Sequence, residues 1–152
     1  MGNRAVITAS AADNVQESQD LGVYLHWNGG RDSVEAFLTY CKMRGFRPPD
    51  EDNYGWARLC QVIGNFFGGG MSLGVDTCDH LDCDNYDNGV YIIRGWQIVG
   101  RKYFSGEEQR EYDLEDMLVE IDSRQPERER LGKEKIAQML VGMEGNDNGS
   151  KR

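Results

Sequence analysis

The chain has 152 residues, of which 39% are apolar and 28% charged, with a formal net charge of −9 and a pI near 4.7. A chain of this length and aromatic content can bury a core, which excludes a disordered protein and one that needs disulfides to fold. The acidic excess opposes direct binding of DNA or RNA, because phosphate contacts supply most of that affinity. The sequence has neither a signal-peptide pattern nor a run of about 20 apolar residues, so we expect a cytosolic protein that does not enter a membrane.

Two short strands are predicted near the N-terminus. Residues 4–7 and 22–27 are apolar runs of the length and composition that form strands. The stretch Ser10–Asp20 between them has almost no large apolar side chain, so we expect a mobile loop there.

Two amphipathic helices follow these strands. The first begins near Asp32, which has the spacing of a capping box with Glu35, and it ends at Gly45. The second begins after Pro48-Pro49 and ends at glycines 68–70. The apolar face of the first consists of Val34, Phe37, Leu38 and Cys41. The face of the second consists of Trp56, Leu59, Cys60, Ile63 and Phe66 or Phe67.

Three more strands are predicted in the middle of the chain, at Met71–Val75, Gly89–Ile93 and Trp96–Tyr103. Only Arg94-Gly95 separates the last two, and so short a connection requires an antiparallel hairpin. With two C-terminal helices, the element order is ββααβββαα. This order predicts an α+β fold in which three to four helices pack on a small, mostly antiparallel sheet.

The C-terminal helices are predicted at Asp113–Ser123 and Glu129–Met143. The charged stretch Arg124–Arg130 separates them, so we divide the chain into an α+β domain over residues 1–123 and an appendage over residues 124–152. The appendage contains the charged joint, the last helix and a flexible tail. We expect this helix to contribute more to self-association, as in a homo-oligomer, than to the core. Its apolar stripe consists of Ile136, Met139, Leu140 and Met143.

The most distinctive local sequence joins the second strand to the first helix through two glycines. A helix N-terminus can bind an anion, an arginine can pair with a phosphate, and a tryptophan can stack on a base. The alternative is a plain Asn-Gly turn capped by Asp32. No dinucleotide or Walker motif occurs, so we predict no cofactor. The candidate ligand-binding residues are Trp27, Asn28, Gly29, Gly30, Arg31 and Ser33, with Arg58 and Arg101 as additional cations.

Two stretches concentrate the acidic residues. Five aspartates and no basic residue lie from Asp76 to Asp87, and eight acidic residues with Arg110 alone lie from Glu107 to Asp122. Such surfaces can imitate nucleic-acid phosphates and occlude a basic groove, although a solvated surface is the alternative explanation. The candidate partner-binding residues are Asp82, Asp84, Asp87, Glu107, Glu108 and Glu111.

The sequence completes neither a metal site nor a catalytic site. The aspartate stretch lacks the glutamate that closes a calcium loop, and Cys78, His80 and Cys83 do not have the spacing of a common zinc module. For nucleophilic catalysis the chain offers His26 and His80, and no spacing pairs either with a serine or cysteine. We therefore predict no structural metal and a protein that binds rather than catalyses.

Three segments of the sequence, Gly2–Ile7, Val23–Gly30 and Gln61–Gly69, carry a resemblance that extends over residues 1–122. They resemble small acidic proteins of phages and mobile elements, a family that brings no established activity. The resemblance implies a role in blunting host defence in the host cell cytosol.

From this resemblance we expect a counter-defence protein that sequesters a nucleotide-derived immune signal. Its ligand would be a small nucleotide-like molecule held at the turn. One alternative is an acidic inhibitor of a host defence protein, such as a CRISPR nuclease, that imitates nucleic acid. A second alternative is a small hydrolase.

Overall fold

Five short strands form one mixed sheet in the computed structural model, which describes residues 2–150 and, for residues 144–150, the backbone alone. The order across the sheet is β3-β2-β1-β4-β5. The β1–β4 pair is parallel and the other three pairs are antiparallel, which confirms the predicted mostly antiparallel sheet. The strands are β1 (Ala5–Thr8), β2 (Leu21–Leu25), β3 (Leu73–Thr77), β4 (Val90–Arg94) and β5 (Gln97–Lys102).

The helices pack together with one face of this sheet in a shared core. Their positions along the chain give the predicted order ββααβββαα, so the α+β fold is confirmed. Within residues 2–150, no helix is both long enough and apolar enough to cross a bilayer. The helices are α1 (Arg31–Met43), α2 (Tyr54–Phe67), α3 (Leu114–Ser123) and α4 (Lys133–Ser150).

The main core lies between the sheet and the helices. Alternation along each strand sends every second side chain toward the helices. On α1, Phe37 is fully buried and its ring lies edge-on to that of Phe66 on α2, with 5.3 Å between the ring centroids. The strand residues that share this core are Ala5, Ile7, Val23, Leu25, Tyr91 and Ile93.

The stretch Ser10–Asp20 covers the opposite face of the sheet. Val15 is fully buried there in a second, smaller core with Cys78 and Cys83. The hydroxyl groups of Ser10 and Ser18 share a buried hydrogen bond of 2.9 Å. The stretch is therefore a packed cover of the sheet and not the mobile loop that its polar sequence predicts.

Gly68 ends α2 as predicted, whereas the turn of the β4–β5 hairpin consists of Gly95 and Trp96 instead of the predicted Arg94-Gly95, because Arg94 still pairs with Gln97. Gly68 follows α2 in the left-handed region with φ +77°, where most side chains are strained. Gly95 and Trp96 have φ of 59° and 64°, the two positive values that a two-residue hairpin turn requires. The hairpin places Trp96 against the core, where its indole Nε1 donates to the carbonyl oxygen of Phe46 at 2.7 Å.

The apolar stripe of α4 packs on the chain's own core. Ile136 is fully buried, Leu140 is nearly so, and Met139 and Met143 pack partly buried against the same cluster. These contacts form within one chain, so α4 contributes to the core more than its sequence predicts. The division at residue 124 and the homo-oligomer stay predictions, and residues 151–152 at the end of the predicted tail lie outside the described residues.

Candidate functional site

The turn from Trp27 to Ser33 connects β2 to α1 and is fixed by contacts with neighbouring strands. Asn28 has a positive φ of 55°, as the Asn-Gly sequence predicts. The backbone N–H of Gly29 donates to the Asn3 carbonyl oxygen at 2.8 Å. The Tyr91 hydroxyl donates to the Gly29 carbonyl oxygen at 2.6 Å. The turn is therefore anchored to the start of β1 and to β4.

The N-terminus of α1 binds oxygen atoms of the chain itself. The N–H of Asp32 donates to the Gln109 carbonyl oxygen at 3.2 Å, and the N–H of Ser33 donates to the Asp32 carboxylate at 2.7 Å. The predicted capping box does not form, because Gly30 is the N-cap residue and makes no side-chain cap. A Cβ at Gly30 would overlap the side chain of Gln109, so this segment already occupies the space that an anion would need.

Arg31 is neutralised by two carboxylates. Its guanidinium group donates to Glu35 at 2.7 Å and to Glu108 at 2.7 Å. Glu108 also accepts a hydrogen bond from Arg101. Burial alone would raise the pKa of Glu108, but the hydrogen bonds from Arg101 and Arg31 outweigh it and hold the pKa below its ordinary value.

Arg101 is a structural cation of the sheet. Its guanidinium carbon lies 3.9 Å from the ring centroids of both Tyr91 and Phe104. Its N–H groups donate to the carbonyl oxygens of Asn88 at 2.5 Å and Val90 at 3.3 Å. These contacts use both faces and the edge of the guanidinium group, so a ligand would have to displace them.

Asn3 joins the turn to both acidic stretches. Its backbone N–H donates to the carbonyl oxygen of His26 at 2.8 Å. Its side-chain amide accepts from Asn88 at 2.7 Å and donates to Gln109 at 3.1 Å. The turn, the aspartate stretch and the start of the Glu107–Asp122 stretch therefore meet at one place, which the sequence analysis did not anticipate.

Two of the predicted partner-binding aspartates pair with a basic residue. Asp87 accepts from the Arg4 side chain at 2.8 Å, and Asp82 lies 3.5 Å from the same guanidinium group. The hydrogen bond from Arg4 is the largest influence on Asp87 and lowers its pKa. Asp87 thus contributes to the local structure, as Glu108 does.

We use the name acidic face for the exposed aromatic and acidic side chains of the three segments that meet around Asn3. Three aromatic side chains are exposed on it: Trp27 at 45%, Tyr86 at 91% and Tyr112 at 50%. No basic side chain within the described residues lies within 4.0 Å of its three exposed carboxylates, which belong to Asp84, Glu107 and Glu111.

Arg58 lies far from the turn along the chain, on α2. It flanks the Phe46 ring together with Arg44, the residue that follows α1. These three residues line a cleft of about 300 Å³, which we call the arginine cleft. Sequence reasoning named Arg58 and missed its two neighbours, although an aromatic residue between arginines just after a helix was a visible signal.

Neither histidine is paired with a serine or cysteine in the part of the chain that the structure describes. His26 Nδ1 lies 3.0 Å from the Tyr24 hydroxyl, and His80 Nδ1 lies 3.2 Å from the exposed Thr77 hydroxyl. The same part of the chain contains no group of three or more His, Cys, Asp or Glu side chains arranged to hold a metal ion. Within the described residues the hydrolase alternative therefore has no serine–histidine or cysteine–histidine pair, and the hydroxyl groups beside the histidines belong to Thr77 and Tyr24.

Comparison of the chain with protein-family models, with curated proteins and with solved structures finds no match to any of them.

Proposed function

We propose that this protein binds a basic partner protein through the acidic face, as an acidic inhibitor of a host defence nuclease would. The observation that carries the proposal is the exposure of Trp27, Tyr86 and Tyr112 on segments whose exposed carboxylates lie more than 4.0 Å from any basic side chain of the described residues. Exposed tyrosine and tryptophan supply much of the binding energy at protein interfaces. Carboxylates around them steer a basic partner and select against acidic ones.

The acidic face is also rigidly supported, which lowers the cost of binding. Asn3 connects the three segments that form it, and Asp32 holds two of its backbone N–H groups. The Asp32 carboxylate accepts from the N–H of Glu111 at 2.5 Å and from that of Tyr112 at 2.9 Å. A surface that is ordered before binding loses less conformational entropy when a partner docks.

Sequestration of a nucleotide-derived signal is less well supported at the turn from Trp27 to Ser33. Asp32 and Ser33 donate their N–H groups to internal oxygens, and Arg31 already pairs with two carboxylates. An incoming phosphate would have to displace carboxylates that sit on the same guanidinium group. The turn therefore suits a protein contact better than a phosphate.

The proposal is tested by measuring binding to a panel of purified defence nucleases with and without competing DNA. The informative variant is Glu107→Lys combined with Glu111→Lys, which reverses charge on the acidic face. The matched control reverses two exposed glutamates elsewhere, Glu51 and Glu134. We expect saturable binding that DNA competes away, that the first pair abolishes and that the control pair retains.

Two results would overturn the proposal. One is the absence of binding to every nuclease of the panel, and the other is equal loss in both charge-reversed pairs, which would indicate a net-charge effect. A third substitution, Trp27→Ala, tests the aromatic contribution separately. It should weaken binding by about 2 kcal/mol and leave the free energy of unfolding nearly unchanged.

A further inference from the structure

The arginine cleft lies between the end of α1 and α2, at the opposite end of α1 from the acidic face. Arg44 is the C-cap residue of α1, and Arg58 lies in the second turn of α2. Their guanidinium carbons are 5.1 Å and 6.0 Å from the centroid of the Phe46 ring. Two cations therefore share one aromatic ring in a concave site.

Within residues 2–143, both guanidinium groups have N–H donors without a protein acceptor. Within residues 2–143, neither Arg44 nor Arg58 has a carboxylate within 4.0 Å, although acidic residues outnumber basic ones by 26 to 17 in the chain. Arg44 donates to the Tyr40 hydroxyl at 3.4 Å, a long hydrogen bond. No side-chain hydrogen bond of Arg58 occurs in that part of the structure.

The helix dipole and the neighbouring aromatic rings explain where these arginines lie, and neither interaction needs their N–H groups as hydrogen-bond donors. A cation at the C-terminus of a helix is stabilised by the helix dipole, which accounts for Arg44. Cation–π contacts stabilise both side chains, with Phe46 and Tyr40 near Arg44 and with Phe46 and Tyr54 near Arg58. The N–H groups of arginine are the part that recognises oxyanions.

We propose that the arginine cleft binds the phosphate monoester group of a small molecule, with Arg44 and Arg58 donating to its oxygens. A doubly charged phosphate matches two positive charges better than a single carboxylate does. The cleft volume of about 300 Å³ lies at the lower end of ligand pockets, which favours a small phosphorylated compound. This inference does not depend on the acidic face.

Glu129 also lines the cleft and opposes anion binding. Its carboxylate would repel a phosphate held by the two arginines, so it sets the affinity lower than the arginines alone would. Substitution of Glu129 should therefore change phosphate affinity in the opposite direction from substitution of the arginines. Removing its charge should strengthen phosphate binding, an effect that a merely structural arginine pair would not produce.

The experiment is a titration of the isotope-labelled protein with inorganic phosphate, followed by NMR at constant ionic strength with chloride as the reference anion. Wild type should show saturable shifts at Arg44, Phe46 and Arg58. Arg58→Gln should weaken binding about tenfold to a hundredfold, the effect of losing a charge-assisted contact. Glu129→Gln should strengthen it. Arg47→Gln is the matched control, since Arg47 is exposed and pairs with Asp52.

Two further ligands test whether the phosphate group or the nucleoside is recognised, and one further variant tests the role of Arg44. Adenosine monophosphate should bind at least as well as inorganic phosphate, whereas adenosine should not bind, because the phosphate is the group recognised. Arg44→Gln provides a second loss-of-binding variant. Reversal of charge at Glu107 and Glu111 should leave phosphate binding unchanged, which keeps this test independent of the proposed function.

The inference is overturned if neither wild type nor Glu129→Gln shows saturable shifts with phosphate. It is also overturned if Arg47→Gln weakens binding as much as Arg58→Gln, since that would indicate a general charge effect. Thermal unfolding of each variant establishes that it is folded. Arg58 is exposed, so Arg58→Gln keeps the test decisive even if Arg44→Gln does not fold.

Discussion

The two ends of α1 differ in how their polar groups are satisfied. The helix has 13 residues, so its ends lie about 18 Å apart. At the N-terminal end, Arg31 binds carboxylates and Asp32 binds backbone N–H groups of the segment that follows Glu108. At the C-terminal end, Arg44 and Arg58 line a cleft, and within residues 2–143 most of their N–H groups have no protein acceptor. A saturated network holds a surface in place, whereas unused donors in a concave site are available to a ligand.

At each end of α1 a buried aspartate accepts hydrogen bonds from the backbone of a loop, Asp32 at the N-terminal end and Asp122 near the C-terminal end. Substitution of Asp122 gives the largest predicted loss of stability. Asp122 accepts from the Tyr40 hydroxyl at 2.6 Å and from the N–H groups of Leu131 and Gly132 at 2.8 Å and 3.0 Å. Asp122→Ala would leave all three donors without this acceptor in a largely buried site. We expect the free energy of unfolding to fall by about 4 kcal/mol, as measured by urea denaturation.

Glu120→Ala is the matched control for Asp122→Ala. Glu120 is an exposed carboxylate of the same helix that pairs with Arg124, and such pairs contribute about 0.5 kcal/mol or less. Similar losses in the two variants would show that Asp122 has no special role. They would also show that the C-terminal end of α1 is less firmly held than the contacts indicate.

The next largest predicted loss of stability tests whether Arg101, near the N-terminal end of α1, has a structural role. Arg101→Lys keeps the positive charge but loses the planar group between Tyr91 and Phe104 and part of its hydrogen bonding. We expect a loss of about 2 kcal/mol in urea denaturation. Arg94→Lys, at an exposed position in β4, should cost almost nothing. If Arg101→Lys loses no more stability than Arg94→Lys, Arg101 has no structural role and is again a candidate ligand-binding residue.

The sequence predicts the helices and strands around both ends of α1, because these elements depend on local patterns of residues. The spacing of Val34, Phe37, Leu38 and Cys41 places α1 within one residue of its observed start. The short connection around Gly95 identifies the β4–β5 hairpin, because a two-residue turn has few solutions, but the turn lies at Gly95 and Trp96, one residue later than the predicted Arg94-Gly95. These inferences use neighbours in the chain, whose geometry the sequence fixes directly.

The sequence does not predict which polar groups are satisfied, because their partners are distant in the chain. Arg31 and Glu108 are 77 residues apart, and Tyr40 and Asp122 are 82 apart. A count of acidic residues cannot distinguish the buried Asp122 from the exposed Glu107, since only the fold determines burial. The prediction of a mobile loop at Ser10–Asp20 is wrong for the same reason. Its polar composition does not show that Val15 is buried against the sheet or that Ser10 and Ser18 share a buried hydrogen bond.

The smallest predicted effect concerns pH and the charge network at the N-terminal end. The hydrogen bonds from Arg101 and Arg31 outweigh burial and hold the pKa of Glu108 below its ordinary value of 4.5 in the folded protein. Protonation is therefore easier in the unfolded chain than in the folded one. The stabilisation by Glu108 is fully present above pH 4.5 and is lost as the pH falls through the lowered pKa of the folded state.

Glu108→Gln should therefore reduce the steepness with which the free energy of unfolding falls between about pH 5 and pH 3. The slope is the measured quantity, since the substitution can also change stability at neutral pH. Asp87, whose pKa is lowered chiefly by its hydrogen bond from Arg4, titrates in the same window, so the reduction is partial. Glu107→Gln is the control variant, because it removes an exposed carboxylate of the same stretch. Equal slopes in wild type and Glu108→Gln would mean that the arginines do not stabilise the Glu108 carboxylate, and the contrast between a saturated and an unsaturated end of α1 would lose its electrostatic basis.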